Sequence, residues 1–318
     1  MSGHDALAAL KGVSAAMEQV RTQIQRLARS PVPILIQGET GTGKELCAGA
    51  VAQLSGRMPF VPINCAAFPE SLAESELFGH ERGAFTGAVR AHTGVVALAN
   101  GGVLFLDELG ELPPHMQAKL LRTLESGEYR PVGSNRSLRS QFRILAATSG
   151  DLERVIAEGR LRADLLHRLG AVRISMPPLR RRRDDIPLLA CEFLHRYLER
   201  SEGGPVRIDA DAYAILVAFD WPGNVRQLRN VVEGAAAMAG LDDTIRRAHV
   251  LQFVVPPSPD GNSHSVPSLA QARRSAEQQA IVDALSRVGG NRERAAKLLR
   301  VSPATLYRRL GERQHESA

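Results

Sequence analysis

The stretch Gly38-Glu39-Thr40-Gly41-Thr42-Gly43-Lys44-Glu45 decides the fold of this 318-residue chain. It follows the short apolar run Ile34–Ile36, which predicts a buried strand, and it precedes Leu46–Leu54, which is rich in helix formers. Backbone N–H groups and a lysine hold phosphates where a glycine-rich turn joins a strand to a helix. Such turns also occur without a ligand, but these flanks favour phosphate binding. The usual Ser or Thr after Lys44 is Glu45, so Mg²⁺ must be held elsewhere.

Composition limits the class of protein. The chain is 44% apolar and 23% charged, which is ordinary for a soluble globular protein, and its length predicts two or three units. No run approaches the ~18 apolar residues of a membrane span, and the N-terminus lacks the form of a signal peptide. Cys47, Cys65 and Cys191 have no metal-ligand spacing, so we expect a reduced, cytoplasmic protein. The net charge of +6 indicates a nucleic-acid partner only if it is localised.

Apolar runs after the glycine-rich loop predict four more strands, with helical patterns before and between them. The predicted strands are Phe60–Ile63, Gly101–Leu106, Phe142–Ala147 and Val172–Ser175, and the predicted helices are Val13–Ala28, Pro69–Leu77 and Pro114–Leu124. Glycine and proline near Gly127–Ser137 predict a hairpin. The basic run Arg180–Arg183 is typical of a solvated surface. Asp185–Val254 is helical in pattern, and five strands followed by helices fit a P-loop α/β domain with an α-helical lid.

Two carboxylates end the most apolar run, where Asp107 and Glu108 follow Gly101–Leu106. Ligands bind at the carboxyl ends of parallel strands. Asp107 is then placed to hold Mg²⁺ and Glu108 to activate an attacking water, although acidic strand-end turns are also common. A P-loop about 60 residues upstream favours the catalytic interpretation.

Other candidate residues have two interpretations each. Thr148 and Ser149 follow the strand Phe142–Ala147, where they could sense a γ-phosphate or cap the next helix. Arg162 and Arg168 are surface residues or arginine fingers that reach a neighbour's ATP.

The segment Phe78–Ala88 has neither helical nor strand periodicity and predicts a loop. It holds Phe85 between two glycines. An exposed Phe in a loop indicates contact with a partner, while a Phe turned back into the core is an equally compatible interpretation.

The C-terminal region combines a linker with basic helices. Pro256–Pro267 is rich in Pro, Ser, Gly and Asn, and the helical patterns Arg292–Leu299 and Pro303–Arg313 beyond it form a helix-turn-helix. Residues 287–313 hold eight Lys or Arg against two Glu, which suits the major groove. The alternative is a basic tail that docks on its own protein. The candidate DNA-binding residues are Arg300, Ser302, Thr305, Tyr307, Arg308 and Arg309.

From about Val13 to the C-terminus the chain resembles the AAA+ activators of sigma-54 RNA polymerase, the bacterial enhancer-binding proteins. The most specific motif is Gly83-Ala84-Phe85-Thr86-Gly87-Ala88, with which this family engages sigma-54. The resemblance implies that Phe85 faces a partner. It also implies that ATP hydrolysis moves this loop and remodels the closed promoter complex into an open one.

The resemblance assigns the nucleotide site. Gly38–Glu45 resembles the family's Walker A motif, in which Glu after the lysine is usual, and the implied ligands are ATP and Mg²⁺. Asp107 and Glu108 resemble the Walker B motif, with Asp107 at the metal, and Asn64 resembles the switch residue that pairs with Glu108. The resemblance further implies that Thr148 is sensor I, that Arg226 is sensor II, and that Arg162 and Arg168 are the arginine fingers. Two departures are Lys11 before Gly12, where an apolar residue is usual, and Ser149, where Asn is common.

The implied architecture is a three-layer P-loop AAA+ domain with a helical lid and an all-α Fis-like helix-turn-helix domain. The predicted division is an extension at 1–12, the ATPase subdomain at 13–175, the lid at 176–254, a linker at 255–267 and the DNA-binding domain at 268–318. Fingers supplied in trans imply a ring, usually a hexamer, of this chain or with a homologous activator. The short N-terminus implies a member without a regulatory domain, controlled by expression level or by a separate anti-activator or co-activator.

The resemblance therefore predicts an ATP-driven activator in the bacterial cytoplasm, associated with the nucleoid, whose partners are sigma-54 holoenzyme and enhancer DNA. One rival is a generic AAA+ remodeller, which predicts nothing special at residues 83–88. Another is a DNA-binding regulator with a degenerate ATPase domain, which conflicts with the intact Lys44, Asp107 and Glu108.

Overall fold

The computed structural model describes residues 3–254, except the single positions 68, 151, 202, 206 and 241. The chain divides into two compact units, residues 1–255 and 256–318. The predicted linker and helix-turn-helix, with all six candidate DNA-binding residues, lie outside the described residues.

A five-stranded parallel sheet lies at the centre of the first unit. The strands are β1 (Ile34–Gln37), β2 (Phe60–Asn64), β3 (Val103–Asp107), β6 (Arg143–Thr148) and β7 (Val172–Ser175). Their order in the sheet is β2-β3-β6-β1-β7, so the first strand lies between the last two. All five predicted strands are confirmed. Burial on both faces explains why the inner strands β1, β3 and β6 read as apolar runs, whereas the edge strands β2 and β7 are partly exposed.

Helices cover both faces of this sheet. Alternate residues of β3 enter two different cores: Val103 and Phe105 join the helices that flank the P-loop, while Leu104 and Leu106 pack under the helices of the other face. The helices of this region are α1 (Gly3–Ala8), α2 (Ala15–Leu27), α3 (Lys44–Ser55), α4 (Glu70–Phe78), α5 (Val95–Leu98), α6 (Pro114–Ser126), α7 (Leu152–Ala157) and α8 (Ala163–Leu169). The arrangement is the predicted three-layer α/β fold.

Two small strand pairs complete the strands of the described residues. β4 (Glu128–Tyr129) and β5 (Leu138–Arg139) pair antiparallel and confirm the predicted hairpin. β8 (Arg207–Ile208) and β9 (Thr244–Ile245) pair in parallel within the helical region and were not predicted. Two residues are too few to show a strand period, so no sequence pattern announces this second pair.

A second hydrophobic core holds the helical region together. It is built from α9 (Ile186–Leu198), α10 (Ala210–Ala218), α11 (Asn224–Ala239) and α12 (Arg247–Leu251). Trp221 is fully buried in it, and its indole N–H donates to the carbonyl oxygen of Leu216 at 2.7 Å. Removing so large a buried side chain costs roughly 3–5 kcal/mol. None of these helices or the others in the described residues is long and apolar enough to cross a membrane.

The basic run Arg180–Arg183 is solvated only in part, which corrects that expectation, because Arg180 and Arg181 are exposed whereas Arg182 is buried and Arg183 is half-buried. Arg182 is 3% exposed and donates to the carbonyl oxygen of Thr42 at 2.9 Å, inside the glycine-rich loop. Arg183 donates to the carbonyl oxygens of Val217 and Phe219 in the helical region. Arg182 therefore connects the helical region to the glycine-rich loop, and Arg183 connects two segments within the helical region. The density of charge along the sequence does not reveal these contacts.

Candidate functional site

The glycine-rich loop forms a backbone cradle between β1 and α3. Gly41 and Gly43 have φ angles of 81° and 103°, which side chains disfavour. Among the described residues, the amides of these two glycines have no hydrogen-bond acceptor. Lys44 is almost buried, and its Nζ donates to the carbonyl oxygens of Gly38 at 3.0 Å and Glu39 at 3.5 Å. Free amides, a helix N-terminus and a held ammonium group form the donor set that a polyphosphate requires.

The start of α11 closes against this cradle. The amide of Val225 donates to the carbonyl oxygen of Gly41 at 3.0 Å, and Asn224 Nδ2 donates to the carbonyl oxygen of Thr40 at 3.1 Å. A Cβ on Gly41 would lie 2.4 Å from the carbonyl oxygen of Gly223, so no larger residue fits there. The loop and the helical region therefore touch backbone to backbone at the phosphate cradle.

A charged contact reinforces the same junction. Arg180 donates two hydrogen bonds to the carboxylate of Glu39, and Asn224 Nδ2 donates to Glu39 Oε2 at 3.1 Å. The bidentate Arg180 lowers the pKa of Glu39 against the opposing effect of its partial burial. The sequence interpretation placed Glu39 only in the nucleotide loop and missed Arg180 and Asn224 as its partners.

Asp107 and Glu108 lie at the carboxyl end of β3, beside the cradle. Burial raises the pKa of Asp107, while the charges of Lys44 and Arg226 act in the opposite direction. Glu108 has a φ angle of 51°, an unusual conformation for a residue with a side chain. Its Oε1 lies 3.7 Å from Lys44 Nζ. The structure thus brings the two predicted carboxylates to the predicted lysine.

Ser149 orients the other oxygen of Glu108. Its hydroxyl donates to Glu108 Oε2 at 2.6 Å, and its backbone amide donates to the same oxygen at 3.3 Å. The sequence interpretation considered Ser149 as a γ-phosphate sensor, as a helix cap or as a departure from the common Asn, and not as a partner of Glu108. A hydroxyl at the end of the strand next to β3 was the available indication, but that adjacency is not visible in the sequence.

The predicted switch and sensor residues lie at the same edge of the sheet. Asn64 is aligned with Asp107 in the register of β2 and β3, and its Oδ1 accepts a hydrogen bond from the amide of Ala66 at 2.9 Å. The described hydrogen bonds of the Glu108 side chain go to Ser149 and none goes to Asn64. Thr148 is buried, and its carbonyl oxygen accepts from the amide of Gly38 at 3.3 Å. A switch role for Asn64 and a sensor role for Thr148 stay predictions.

Both predicted arginine fingers lie on α8 or at its start, with no described contact to this chain's own loop. Arg162 donates two hydrogen bonds to Asp164, at 3.1 and 2.8 Å, and Arg168 Nη2 donates to the carbonyl oxygen of Leu124 at 3.4 Å. The guanidinium of Arg162 lowers the pKa of Asp164. Arg226, the predicted sensor II residue, lies one residue beyond Val225 in the first turn of α11.

The six residues Gly83–Ala88 form a closed, exposed loop. The amide of Gly83 donates to the carbonyl oxygen of Ala88 at 2.8 Å, which closes its base. Phe85 is 39% exposed, and its ring contacts His80 edge-on with centroids 4.9 Å apart. His80 in turn bonds Ser75 through Nδ1 at 2.6 Å. Phe85 is therefore not a core residue, and the loop is anchored to α4 by a histidine that the sequence interpretation did not single out.

Mg²⁺ fits this site only together with a phosphate ligand. Among the described residues, no group of three or more His, Cys, Asp or Glu side chains is arranged to hold a metal ion. Mg²⁺ is commonly bound by one or two carboxylates with phosphate oxygens and water. The half-buried Asp107 beside the phosphate cradle is consistent with that kind of site.

Three family models match the chain in succession. A Sigma-54 interaction domain matches residues 10–175, an AAA+ ATPase lid domain matches residues 180–266, and a bacterial regulatory protein domain of the Fis family matches residues 272–312. The first of these alone covers about half of the chain.

Individual relatives agree with these matches. The transcriptional regulatory protein ZraR of Escherichia coli (strain K12) is 42% identical over 301 residues, which cover 94% of this chain and 67% of ZraR. The Nif-specific regulatory protein of Azotobacter vinelandii is 43% identical over 302 residues, covering 94% of this chain and 58% of that protein.

The solved structure of NtrX from Brucella abortus in complex with ATP superposes with a TM-score of 0.71 at 35% identity, covering 95% of this chain and 68% of NtrX. The matched segments follow one another in the order that the motifs predict. The chain therefore belongs to the sigma-54-dependent transcriptional activators, with an AAA+ domain, its lid and a Fis-type helix-turn-helix.

Proposed function

We propose that this chain binds and hydrolyses ATP in an oligomeric ring, and that it uses the hydrolysis to convert the closed complex of sigma-54 RNA polymerase into an open one. The observation that carries this proposal is the Glu108 carboxylate, held by Ser149 on one oxygen and 3.7 Å from Lys44 on the other. A carboxylate oriented this closely beside a phosphate cradle suits a residue that positions an attacking water.

The cradle is the proposed site of the triphosphate. The unpaired amides of Gly41 and Gly43 would donate to phosphate oxygens, and Lys44 would exchange its backbone partners for the β- and γ-phosphates. Arg226 starts from the lid beside Gly41, where its charge would reach the γ-phosphate. The NtrX complexes with ATP and with ADP, at 35% identity, support a nucleotide at this place.

Catalysis would divide between the two carboxylates. Asp107 would hold Mg²⁺, which would supply positive charge against the negative charge that develops on the phosphate groups. Glu108 would orient the attacking water and accept its proton, with Ser149 keeping the carboxylate in place. Asn64 and Thr148, at the ends of β2 and β6, are proposed as the switch and sensor residues of the same sheet edge.

The fingers would act between subunits. Arg162 and Arg168 have no described contact with their own cradle, which is consistent with action on a neighbour's ATP. An arginine supplied in this way contributes a factor of roughly 10³ to 10⁵ in turnover in related chemistry. We therefore propose a ring, a hexamer of this chain or a mixed hexamer with a homologous activator.

The exposed loop Gly83–Ala88 would carry the effect of hydrolysis to sigma-54. Its base rests on α4 and on the segment after β4, where the amide of Glu81 donates to the carbonyl oxygen of Val132 at 3.0 Å. The Fis-type segment 272–312 would bind enhancer DNA through the six predicted residues and deliver the ring to the promoter. An anti-activator or co-activator would set its activity in the cell.

Open-complex formation tests this function. The full chain, sigma-54 holoenzyme and a supercoiled sigma-54 promoter are combined with and without ATP, and strand opening is mapped with permanganate. We expect opening only with ATP, and none with Glu108→Gln, which should still bind ATP. ATP hydrolysis without opening on several such promoters would favour a generic remodeller, and unchanged hydrolysis by Glu108→Gln would remove Glu108 from the mechanism.

A further inference from the structure

A fully buried glutamine joins two segments on either side of α6. Gln117 has no exposed surface, and its amide makes three hydrogen bonds. Nε2 donates to the carbonyl oxygens of Leu112 and Arg160, both at 2.6 Å, and Oε1 accepts from the amide of Arg162 at 2.8 Å. Both donor hydrogens and one acceptor site of the amide are therefore used, which fixes its orientation.

Two of these bonds hold the backbone immediately before α8. Between Arg160 and Arg162 lies Leu161, which is 2% exposed and packs in the core under the sheet. From the opposite side, the amides of Arg160 and Leu161 donate to the carbonyl oxygen of Val155, at 3.0 and 3.3 Å. The turn that presents Arg162 is thus clamped by α7 on one side and by Gln117 on the other.

The third bond connects this turn to the carboxylate strand. The carbonyl oxygen of Glu108 accepts from the amide of Glu111 at 2.9 Å, and Leu112 directly follows the short helical segment Leu109–Glu111. Gln117 bonds the carbonyl oxygen of Leu112, and an ion pair between Arg160 and Glu111 joins the same two segments at the surface. The backbone that carries Glu108 and the backbone that carries Arg162 therefore share one buried amide.

We propose that Gln117 is a positioning residue that sets the place of Arg162, the finger that each subunit lends to its neighbour. The proposal rests on the proposed function, because it requires Arg162 to act in trans. Asp164 completes the arrangement, since its carboxylate holds the guanidinium of Arg162 while Gln117 holds its backbone. A finger displaced by about 1 Å loses much of its effect on a transition state.

The first experiment separates positioning from stability. Gln117→Leu keeps the approximate volume and removes all three bonds, and Thr123→Val is its matched control, because Thr123 is buried on the same helix and bonds only within it. For Gln117→Leu we expect kcat of the ATPase to fall by roughly 10- to 100-fold with KM for ATP within about twofold. Thr123→Val should keep both constants, and gel filtration should show rings for both variants.

The second experiment asks whose site is defective. A Gln117→Leu subunit has an intact cradle and a misplaced finger, whereas a Lys44→Ala subunit has a defective cradle and an intact finger. Mixed rings should therefore regain turnover, because Gln117→Leu sites would receive normal fingers from Lys44→Ala neighbours. A mixture of Gln117→Leu with Arg162→Ala should regain none, since neither supplies a working finger.

A mixture of Arg162→Ala with Lys44→Ala tests the proposed function separately from the role of Gln117. If Arg162→Ala and Lys44→Ala fail to complement each other, action in trans by Arg162 is wrong and the proposed function must change. If they complement and Gln117→Leu with Lys44→Ala does not, the inference about Gln117 alone is overturned. Full turnover by Gln117→Leu, or its failure to form rings, would also overturn it. Should Gln117→Leu be insoluble, Gln117→Asn, which keeps the amide but shortens its reach, is expected to give the same pattern with a smaller loss.

Discussion

At the scale of single residues, Glu108, the carboxylate proposed to be catalytic, contacts a neighbour that the motif does not contain. Ser149 follows β6, and Glu108 follows β3, so their contact exists only because these strands are adjacent in the sheet. Charge-assisted hydrogen bonds of this kind are stronger than bonds between neutral groups. Ser149 is therefore expected to influence turnover without touching the nucleotide loop.

The first prediction concerns that serine. Ser149→Ala removes the shorter of the two bonds to Glu108 Oε2 and leaves only the 3.3 Å bond from the backbone amide, so the carboxylate is held less firmly. We therefore expect kcat to fall about tenfold while the Kd for ATP stays the same. Steady-state ATPase kinetics and calorimetric titration measure the two constants. Ser126→Ala, which loses the hydroxyl bond to the carbonyl oxygen of Arg122 and the bond from the amide of Glu128, serves as the control. A wild-type kcat in Ser149→Ala would exclude this role.

The second prediction concerns Asp107, whose pKa is raised by burial. A carboxyl with a raised pKa in the folded state is more stable protonated there than in the unfolded chain. The contribution of this carboxyl to the free energy of unfolding is fully present below its pKa in the unfolded chain and is lost as the pH rises through its pKa in the folded state. The ionised form therefore destabilises the fold at neutral pH. Asp107→Asn removes that penalty.

We therefore expect Asp107→Asn to raise the free energy of unfolding without nucleotide by roughly 0.5–2 kcal/mol at pH 7, while Mg²⁺-dependent turnover is lost. Urea denaturation at pH 7 and again below pH 4 provides the measurement, and the gain should shrink at the lower pH. Asp243→Asn, at an exposed position, should change neither quantity. A less stable Asp107→Asn at pH 7 would contradict the sign of this argument.

At the scale of elements, the start of α11 is as much a part of the proposed nucleotide site as the glycine-rich loop. Asn224 is fully buried, accepts a hydrogen bond from the amide of Leu179 and donates to the carbonyl oxygen of Thr40 and to Glu39. The side-chain amide of Asn224 thus connects two segments of the lid with each other and with the glycine-rich loop. A change in the lid's position would be transmitted directly to the phosphate cradle.

The third prediction tests this junction. Asn224→Ala leaves buried polar groups of the loop without a partner, which costs roughly 1–3 kcal/mol, so the Kd for ATP should rise about tenfold. Isothermal titration with the Glu108→Gln background avoids turnover during the measurement. Asn230→Ala removes an exposed side chain from the same helix and should leave the Kd unchanged. Equal affinities of the two alanine variants would show that the junction does not support binding.

At the scale of the whole molecule, the proposed sites for hydrolysis and for sigma-54 belong to different parts of the fold. The loop Gly83–Ala88 is exposed and anchored by His80 and by the segment after β4, and none of its described hydrogen bonds reaches the phosphate cradle. Substitutions at its tip are therefore expected to separate the two activities.

The fourth prediction is that Thr86→Ala hydrolyses ATP within about twofold of the wild-type rate and fails to form open complexes, because Thr86 is exposed and has no described structural contact. Val89→Ala, at a side chain that is 77% exposed and directly follows the loop Gly83–Ala88, should retain both activities. Both are measured with the ATPase and permanganate assays. Normal open-complex formation by Thr86→Ala would remove the loop from sigma-54 engagement.

Much of the fold could be predicted because its patterns are local. The strands of a doubly covered parallel sheet read as short apolar runs, and β1 and β3 each end in residues that make sense only beside a phosphate, the glycine-rich loop and the carboxylate pair. Helices such as α2, α3 and α6 begin after a capping residue or end before a glycine, and these signals are also local. By contrast, the two-residue strands β8 and β9 and the buried role of Arg182 have no local pattern.

The sequence by itself determined the P-loop, the five strands and the two carboxylates and, through the family it resembles, the exposure of the loop Gly83–Ala88 and the type of activator. Only the tertiary structure decided the strand order and the contacts that depend on it: Ser149 with Glu108 across 41 residues, Gln117 with Arg162 across 45, and Asn224 with Glu39 across 185. A pattern along the chain records burial and backbone preference, which are local. A hydrogen bond depends on placement within a few tenths of an ångström, which arises only when distant segments pack together.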